Sequence, residues 1–63
     1  MEYRIYHKGK LVNVCTNEFI TVCNLTTYRA KYGKDNITVK VMESPTMDEE
    51  KREWLDNLLG GKL

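Results

Sequence analysis

The chain has 63 residues, a mass of 7.4 kDa and a formal net charge of +1 at pH 7. A chain of this length buries only about 60% of the surface that its unfolded form exposes, which predicts one small domain, residues 1–63, with a marginal core. The mean hydropathy of −0.55 and the 30% of charged residues exclude a membrane span, which needs roughly 20 apolar residues in succession.

The first third of the chain is expected to form a β-hairpin. Residues 3–7 and 11–16 are rich in β-branched and aromatic side chains, and they flank a short basic turn that contains Gly9. Glycine reaches the positive φ that such turns require, and two strand-like runs around such a turn are typical of a hairpin.

A helix is predicted for residues 17–32, beginning at Asn17 or Glu18. Five residues recur at helical spacing, namely Phe19, Val22, Cys23, Thr26 and Ala30, and Thr16 or Asn17 can cap the N-terminus. Gly33 stands where a helix commonly ends. Residues 19–23 taken alone also have strand propensity, so a third strand at this point stays open as an alternative.

The last two elements are a strand over residues 36–42 and a helix over residues 46–59. In the strand, apolar and polar residues alternate, which is the pattern of a half-buried strand. Thr46 and Glu49 form a capping-box pattern that predicts Thr46 as the N-cap of the helix. Gly60 and Gly61 are expected to end it.

The resulting order, ββαβα, predicts a small α+β domain with a three-stranded, mainly antiparallel sheet and one helix across it. Residues 1–42 form the ββαβ core. The third strand is expected beside the first, in the order 2-1-3, with a parallel pairing beside the second strand as the alternative. The expected core contains Tyr3, Ile5, Val12, Val14, Ile37, Val39 and Val41 against Phe19, Val22 and Cys23.

The C-terminal helix carries an apolar face that this small sheet has little room to cover. That face can pack on the second side of the sheet, beside Tyr6, Leu11, Cys15 and Met42, on the first helix, or on another molecule. We therefore predict a protein interface, formed with a second copy as a homodimer or with another protein, at Met47, Trp54, Leu55, Leu58 and Leu59. Burying such side chains contributes roughly 1.5–3 kcal/mol each.

An uneven charge distribution supports nucleic-acid binding as the alternative function. Residues 1–42 carry a net charge of +4 and residues 43–63 a net charge of −3. Basic and aromatic residues alternate along the hairpin, at Arg4, Tyr6, Lys8 and Lys10, which is a composition that nucleic-acid surfaces use. The hairpin and helix resemble small DNA-binding domains of tyrosine recombinases, although those have three strands before the helix and this chain has two.

The sequence offers little for catalysis, cofactors or metals. His7 is the only histidine, and Cys15 and Cys23 lack the close spacing of a zinc site. The two cysteines are expected to be small buried side chains with reduced thiols in a cytoplasmic protein, since no export signal precedes the first strand. The sequence thus predicts a non-enzymatic protein-interaction or regulatory module of the compact kind that phages and mobile elements often encode.

Overall fold

The computed structural model describes residues 1–60 as an α+β fold in the predicted order ββαβα. The elements are the strands β1 (Glu2–His7), β2 (Lys10–Cys15) and β3 (Ile37–Met42), the helices α1 (Glu18–Tyr32) and α2 (Glu49–Leu58), and one 3-10 turn (Lys34–Asn36). The sheet is antiparallel throughout, in the predicted order β2-β1-β3. The end of the predicted domain and Gly61 of the predicted helix stop lie outside the described residues.

The hairpin between β1 and β2 turns through Lys8 and Gly9, as the sequence predicted. Both residues have positive φ, 51° and 84°, and His7 pairs with Lys10 across the turn. A two-residue turn of this kind needs positive φ at both central positions, and its twist matches that of the flanking strands.

An irregularity in β2 changes which of its side chains face the core. Ile5 pairs with Asn13 and Tyr6 with Leu11, so Val12 is an extra residue opposite β1. Val12 packs against the core as predicted. Val14 was wrongly placed there: it pairs with Arg4 and therefore lies on the opposite face, because directly paired residues share a face.

The main core lies between α1 and one side of the sheet, which we call the α1 face. Its buried members are Ile5, Cys15, Leu25 and Ile37, and the partly buried Tyr3, Val12, Tyr28 and Tyr32 pack around them. The other side, which carries Glu2, Arg4 and Tyr6, faces α2 and is called the α2 face. Cys15 belongs to the α1 face, not to the second face where the sequence had placed it.

Helix α1 has the predicted bounds but turns a different side to the sheet. The Asn17 side chain caps it by accepting a hydrogen bond from the Ile20 N–H at 3.0 Å. The predicted core residues Phe19, Val22 and Cys23 are wrong, since all three are exposed. Instead, the sheet-facing line is Thr21, Leu25, Tyr28 and Tyr32.

The sheet-facing line of α1 follows the same 3.6-residue period as the predicted line, displaced around the helix axis. Thr21 is buried at little cost because its hydroxyl donates to the Asn17 carbonyl at 2.8 Å. The ring of Tyr32 stacks on His7 with centroids 4.3 Å apart. The large rings of Tyr28 and Tyr32 cover the sheet at the C-terminal end of α1. The side of the helix that carries Phe19 and Val22 therefore faces solvent.

The outer strand β3 is less buried than its alternation indicated. Ile37 is buried as predicted, but Val39 and Val41 are exposed, so their assignment to the core is wrong. They pair with Ile5 and Tyr3 and therefore lie on the α1 face. Helix α1 thus covers the centre of the sheet without reaching the far end of its outer strand.

Helix α2 begins later than residue 46. Asp48, not Thr46, is its N-cap, and its carboxylate accepts from the Lys51 N–H at 2.9 Å. Thr46 is held to the sheet instead, because its carbonyl and hydroxyl oxygens accept from Arg4 at 3.3 and 3.4 Å. Gly60 follows the helix with φ 94°, in agreement with the predicted stop.

Candidate interaction site on helix α2

Helix α2 is attached to the sheet by a cluster of charged side chains centred on Arg4. Arg4 lies on the central strand and is 1% exposed, while Glu2 two residues earlier is completely enclosed. The Arg4 Nε donates to Glu2 Oε2 at 2.7 Å, and its Nη1 donates to Asp48 Oδ2 at 2.8 Å. Lys51 of α2 completes the cluster by donating to Glu2 Oε1 at 2.6 Å.

Tyr6 extends this cluster toward the hairpin turn. Its hydroxyl donates to Glu50 Oε1 at 2.7 Å, and the same oxygen lies 3.3 Å from Arg4 Nη1. Side chains from alternate positions of β1 therefore meet side chains from the first turn of α2. Within residues 1–60, no buried side-chain nitrogen or oxygen lacks a hydrogen-bond partner.

The surroundings of these groups shift their ionisation in directions that keep the cluster charged. Burial alone would raise the pKa of Glu2, but the hydrogen bonds from Lys51 and Arg4 outweigh it and lower that pKa. Burial would likewise lower the pKa of Arg4, yet its bonds to Glu2 and Asp48 raise it above the ordinary value. The Lys51 backbone N–H and the Arg4 side chain lower the pKa of Asp48.

For Tyr6, in contrast, the surroundings favour the neutral form. Burial and the hydrogen bond to Glu50 raise the pKa of its hydroxyl, because a phenolate beside a carboxylate would be both desolvated and repelled. Tyr6 therefore stays a neutral donor to Glu50. The whole cluster works as a structural connection that fixes the start of α2 on the sheet.

The five residues predicted as a protein interface lie at different depths on α2 and its approach. Trp54 and Leu55 are half-buried, whereas Met47, Leu58 and Leu59 are 56%, 65% and 67% exposed. Helix α2 therefore has an anchored first turn, a half-buried middle at Trp54 and Leu55, and an exposed apolar end at Leu58 and Leu59.

An open groove runs between the second half of α2 and the hairpin. It has a volume of about 420 Å³ and is lined by Lys10, Leu11, Val12, Trp54, Asn57 and Leu58. A second hollow of about 330 Å³ beside it shares Trp54 and adds Glu50 and Glu53. The groove thus combines apolar side chains with Lys10 on the hairpin side, and carboxylates line the hollow beside it.

The hairpin residues predicted as a nucleic-acid surface do not form one free basic face. Lys8 and Lys10 are exposed. Arg4 is enclosed between carboxylates, and Tyr6 is bonded to Glu50. Only the two lysines next to the turn therefore remain available to an outside ligand.

The sequence had indicated neither the charged cluster nor the exposed apolar side of α1. The usable signal was the alternation of Glu2, Arg4 and Tyr6 on one strand face, since charged residues in the central strand of a sheet need partners from a covering element.

No group of three or more histidine, cysteine or carboxylate side chains within residues 1–60 could hold a metal ion. None of the helices described there has both the length and the apolar character needed to cross a membrane. No protein-family model, curated protein or solved structure matches the chain.

Proposed function

We propose that this protein is a non-enzymatic interaction module that binds a second protein, or another copy of itself, through the second half of α2. The observation that carries this proposal is the division of α2 into two parts. Its first turn is tied to Glu2, Arg4 and Tyr6, whereas Leu58 and Leu59 at its end are about two-thirds exposed.

The chemistry of the groove supports the same proposal. Trp54 is the only tryptophan in the chain and lies half-buried at the groove, which Leu11 and Leu58 also line. Half-buried aromatic residues in a shallow pocket are typical anchors of protein interfaces. The neighbouring Lys10 and Glu53 would contact polar groups at the rim, so the expected partner presents an apolar side chain flanked by charges.

Photocrosslinking at Leu58 tests this proposal. A benzophenone amino acid at position 58, irradiated in cells that make the protein, is expected to give one discrete adduct, with a second copy or with one other protein. The same probe at Phe19, which is 76% exposed on α1, is the matched control for a general apolar surface. Adducts that are absent at 58, or identical at both positions, contradict the proposal.

Nucleic-acid binding through the hairpin is the weaker proposal, because Arg4 is already paired with Glu2 and Asp48. Binding by Lys8 and Lys10 alone would be a weak, strongly salt-dependent attraction to phosphates. Fluorescence anisotropy of a labelled duplex at low and raised salt separates the two proposals, since α2 docking predicts no binding at either salt concentration.

A further inference from the structure

Among residues 1–60, the outer strand β3 is an open sheet edge. It pairs with β1 on one side only, through an unbroken register from Glu2↔Met42 to His7↔Ile37. Natural edge strands are commonly blunted by prolines, bulges or several charges. The opposite edge, β2, has such an irregularity, whereas β3 has neither proline nor bulge and carries Lys40 as its only charged residue.

The backbone groups that β3 directs outward follow from one hydrogen bond. The Lys8 N–H donates to the Asn36 carbonyl at 3.0 Å, and this pair continues the β1–β3 register by one step. Hydrogen-bonded and non-hydrogen-bonded pairs alternate in an antiparallel ladder. The backbone groups of Thr38 and Lys40 therefore face β1, and those of Val39 and Val41 face outward.

Ile37 also faces outward, but its N–H is already bonded to the Lys34 carbonyl in the 3-10 turn. The groups that the edge offers to another strand are consequently two N–H donors, from Val39 and Val41, and three carbonyl acceptors, from Ile37, Val39 and Val41.

This set of groups is complementary to itself. In an antiparallel pair of β3 strands with the two-fold axis at Val39, each Val39 bonds to the partner's Val39. Each Val41 N–H then meets the carbonyl of the partner's Ile37, which gives four hydrogen bonds. Thr38 lies opposite the partner's Lys40 in this register. An axis at Lys40 would instead place two like charges opposite each other, which is unfavourable.

The side chains favour the same pairing. Val39 and Val41 are 38% and 53% exposed on the α1 face, beyond the reach of α1. Val22 is 55% exposed, and at 100° per residue it lies about 160° around α1 from Asn24, which bonds to Cys15 of β2. Val22 is thus on the flank of α1 toward β3, so a second copy would enclose these valines between two α1 helices.

We propose that two copies of the chain pair through β3 to form one six-stranded antiparallel sheet, β2-β1-β3-β3-β1-β2. A two-fold axis normal to the sheet keeps each face on its own side, so both α2 helices lie on the same face of the dimer. This interface is separate from the α2 surface and does not depend on the proposed function. The dimer would present two α2 grooves to its partners, both on the same face of the sheet.

Substitution at the two-fold axis tests the proposal by sedimentation equilibrium. The wild type is expected to have twice its chain mass of 7.4 kDa, and Val39→Lys is expected to raise the dimer dissociation constant about tenfold or more by placing two charges together. Val39→Pro is expected to do the same, because it removes an outward N–H and leaves the β1–β3 bonds intact. Val39→Ile and Leu58→Lys are controls that should remain dimeric.

Cysteine crosslinking gives a second readout that does not depend on stability. In a Cys23→Ser background, Val39→Cys would place two Cα atoms about 5.5 Å apart in the dimer, within disulfide range. Thr38→Cys is the matched control, since its two Cα atoms would lie about 8 Å apart from the same strand geometry, beyond disulfide range. Selective oxidation at position 39 supports the proposal.

Three results would overturn it. These are a wild type that stays monomeric up to millimolar concentration, a dimer that both Val39→Lys and Val39→Pro leave intact, or equal crosslinking at positions 38 and 39. A dimer that is lost in Leu58→Lys but kept in Val39→Lys would overturn pairing through β3 while supporting the α2 surface, so the two proposals fail separately.

Discussion

Arg4 uses all three guanidinium nitrogens on the α2 face. They contact carboxylates of Glu2, Asp48 and Glu50 and the main chain and hydroxyl of Thr46. A buried charge without partners is strongly unfavourable, but a planar guanidinium can satisfy several acceptors at once. Two charged residues can therefore be buried in the central strand of a 63-residue protein, because their charged groups are hydrogen-bonded to each other and to side chains at the start of α2.

The pKa shifts of this cluster predict an acid-sensitive fold. The pKa values of Glu2 and Asp48 are lowered in the folded state, so the stability they contribute is present above the pKa values of the unfolded chain. It is lost as the pH falls through the lowered values. We expect the free energy of unfolding, measured by urea titration, to decrease steadily below about pH 5.

Lys51→Met provides the matched test of that prediction. It removes one of the two hydrogen bonds that lower the pKa of Glu2, so the decrease in stability between neutral and acid pH should be smaller than in the wild type. Arg52→Met, at an exposed position of the same helix, should leave the pH dependence unchanged. An equal pH dependence in all three proteins would contradict the role of the cluster.

At the scale of the elements, the orientation of α1 predicts which of its apolar residues stabilise the fold. Leu25→Ala should lower the free energy of unfolding by about 2–3 kcal/mol, because Leu25 is buried in the main core. Phe19→Ala should change it by less than about 0.5 kcal/mol, because Phe19 is 76% exposed. Urea unfolding followed by far-UV circular dichroism measures both, and the reverse order would contradict this orientation.

The elements themselves were predictable because their signals are local. Gly9 marked the hairpin turn, Asn17 and Gly33 marked the ends of α1, and the strand alternation gave β3 to within one residue. The direction that α1 faces was not predictable, since two lines of residues follow the same helical period. Their difference depends on tertiary contacts, such as the stacking of Tyr32 on His7.

The candidate site was predicted less completely than the fold. The apolar residues of α2 were visible as a periodic face, but their depth depends on where the first turn is attached. That attachment involves residues 2–6 and 46–51, which are more than 40 positions apart in the chain. The burial of Arg4 follows from this long-range contact, and the sequence pattern of the hairpin had favoured an exposed basic face instead.

For the whole molecule, the two halves of α2 have separate roles. Its first turn covers the charged face of the sheet, through Asp48, Glu50 and Lys51. Its second half contributes the half-buried Trp54 and Leu55 and ends at the exposed Leu58 and Leu59. A small domain has few buried residues to spare, so the covering role should be essential for folding, while the exposed side chains of Leu58 and Leu59 should be dispensable for it.

Two altered chains distinguish these roles. The chain ending at residue 44 should fail to fold, because it leaves Glu2 and Arg4 without their α2 partners and uncovers Leu11. The full-length double variant Leu58→Ser, Leu59→Ser should keep the wild-type fold, since both side chains are about two-thirds exposed. Chemical-shift dispersion in proton–nitrogen correlation spectra measures each outcome. A dispersed spectrum from the shortened chain would contradict the covering role, because the sheet and α1 would then be stable without α2. A collapsed spectrum from the double variant would show that Leu58 and Leu59 are needed for folding and would remove the argument that they are free for partner binding.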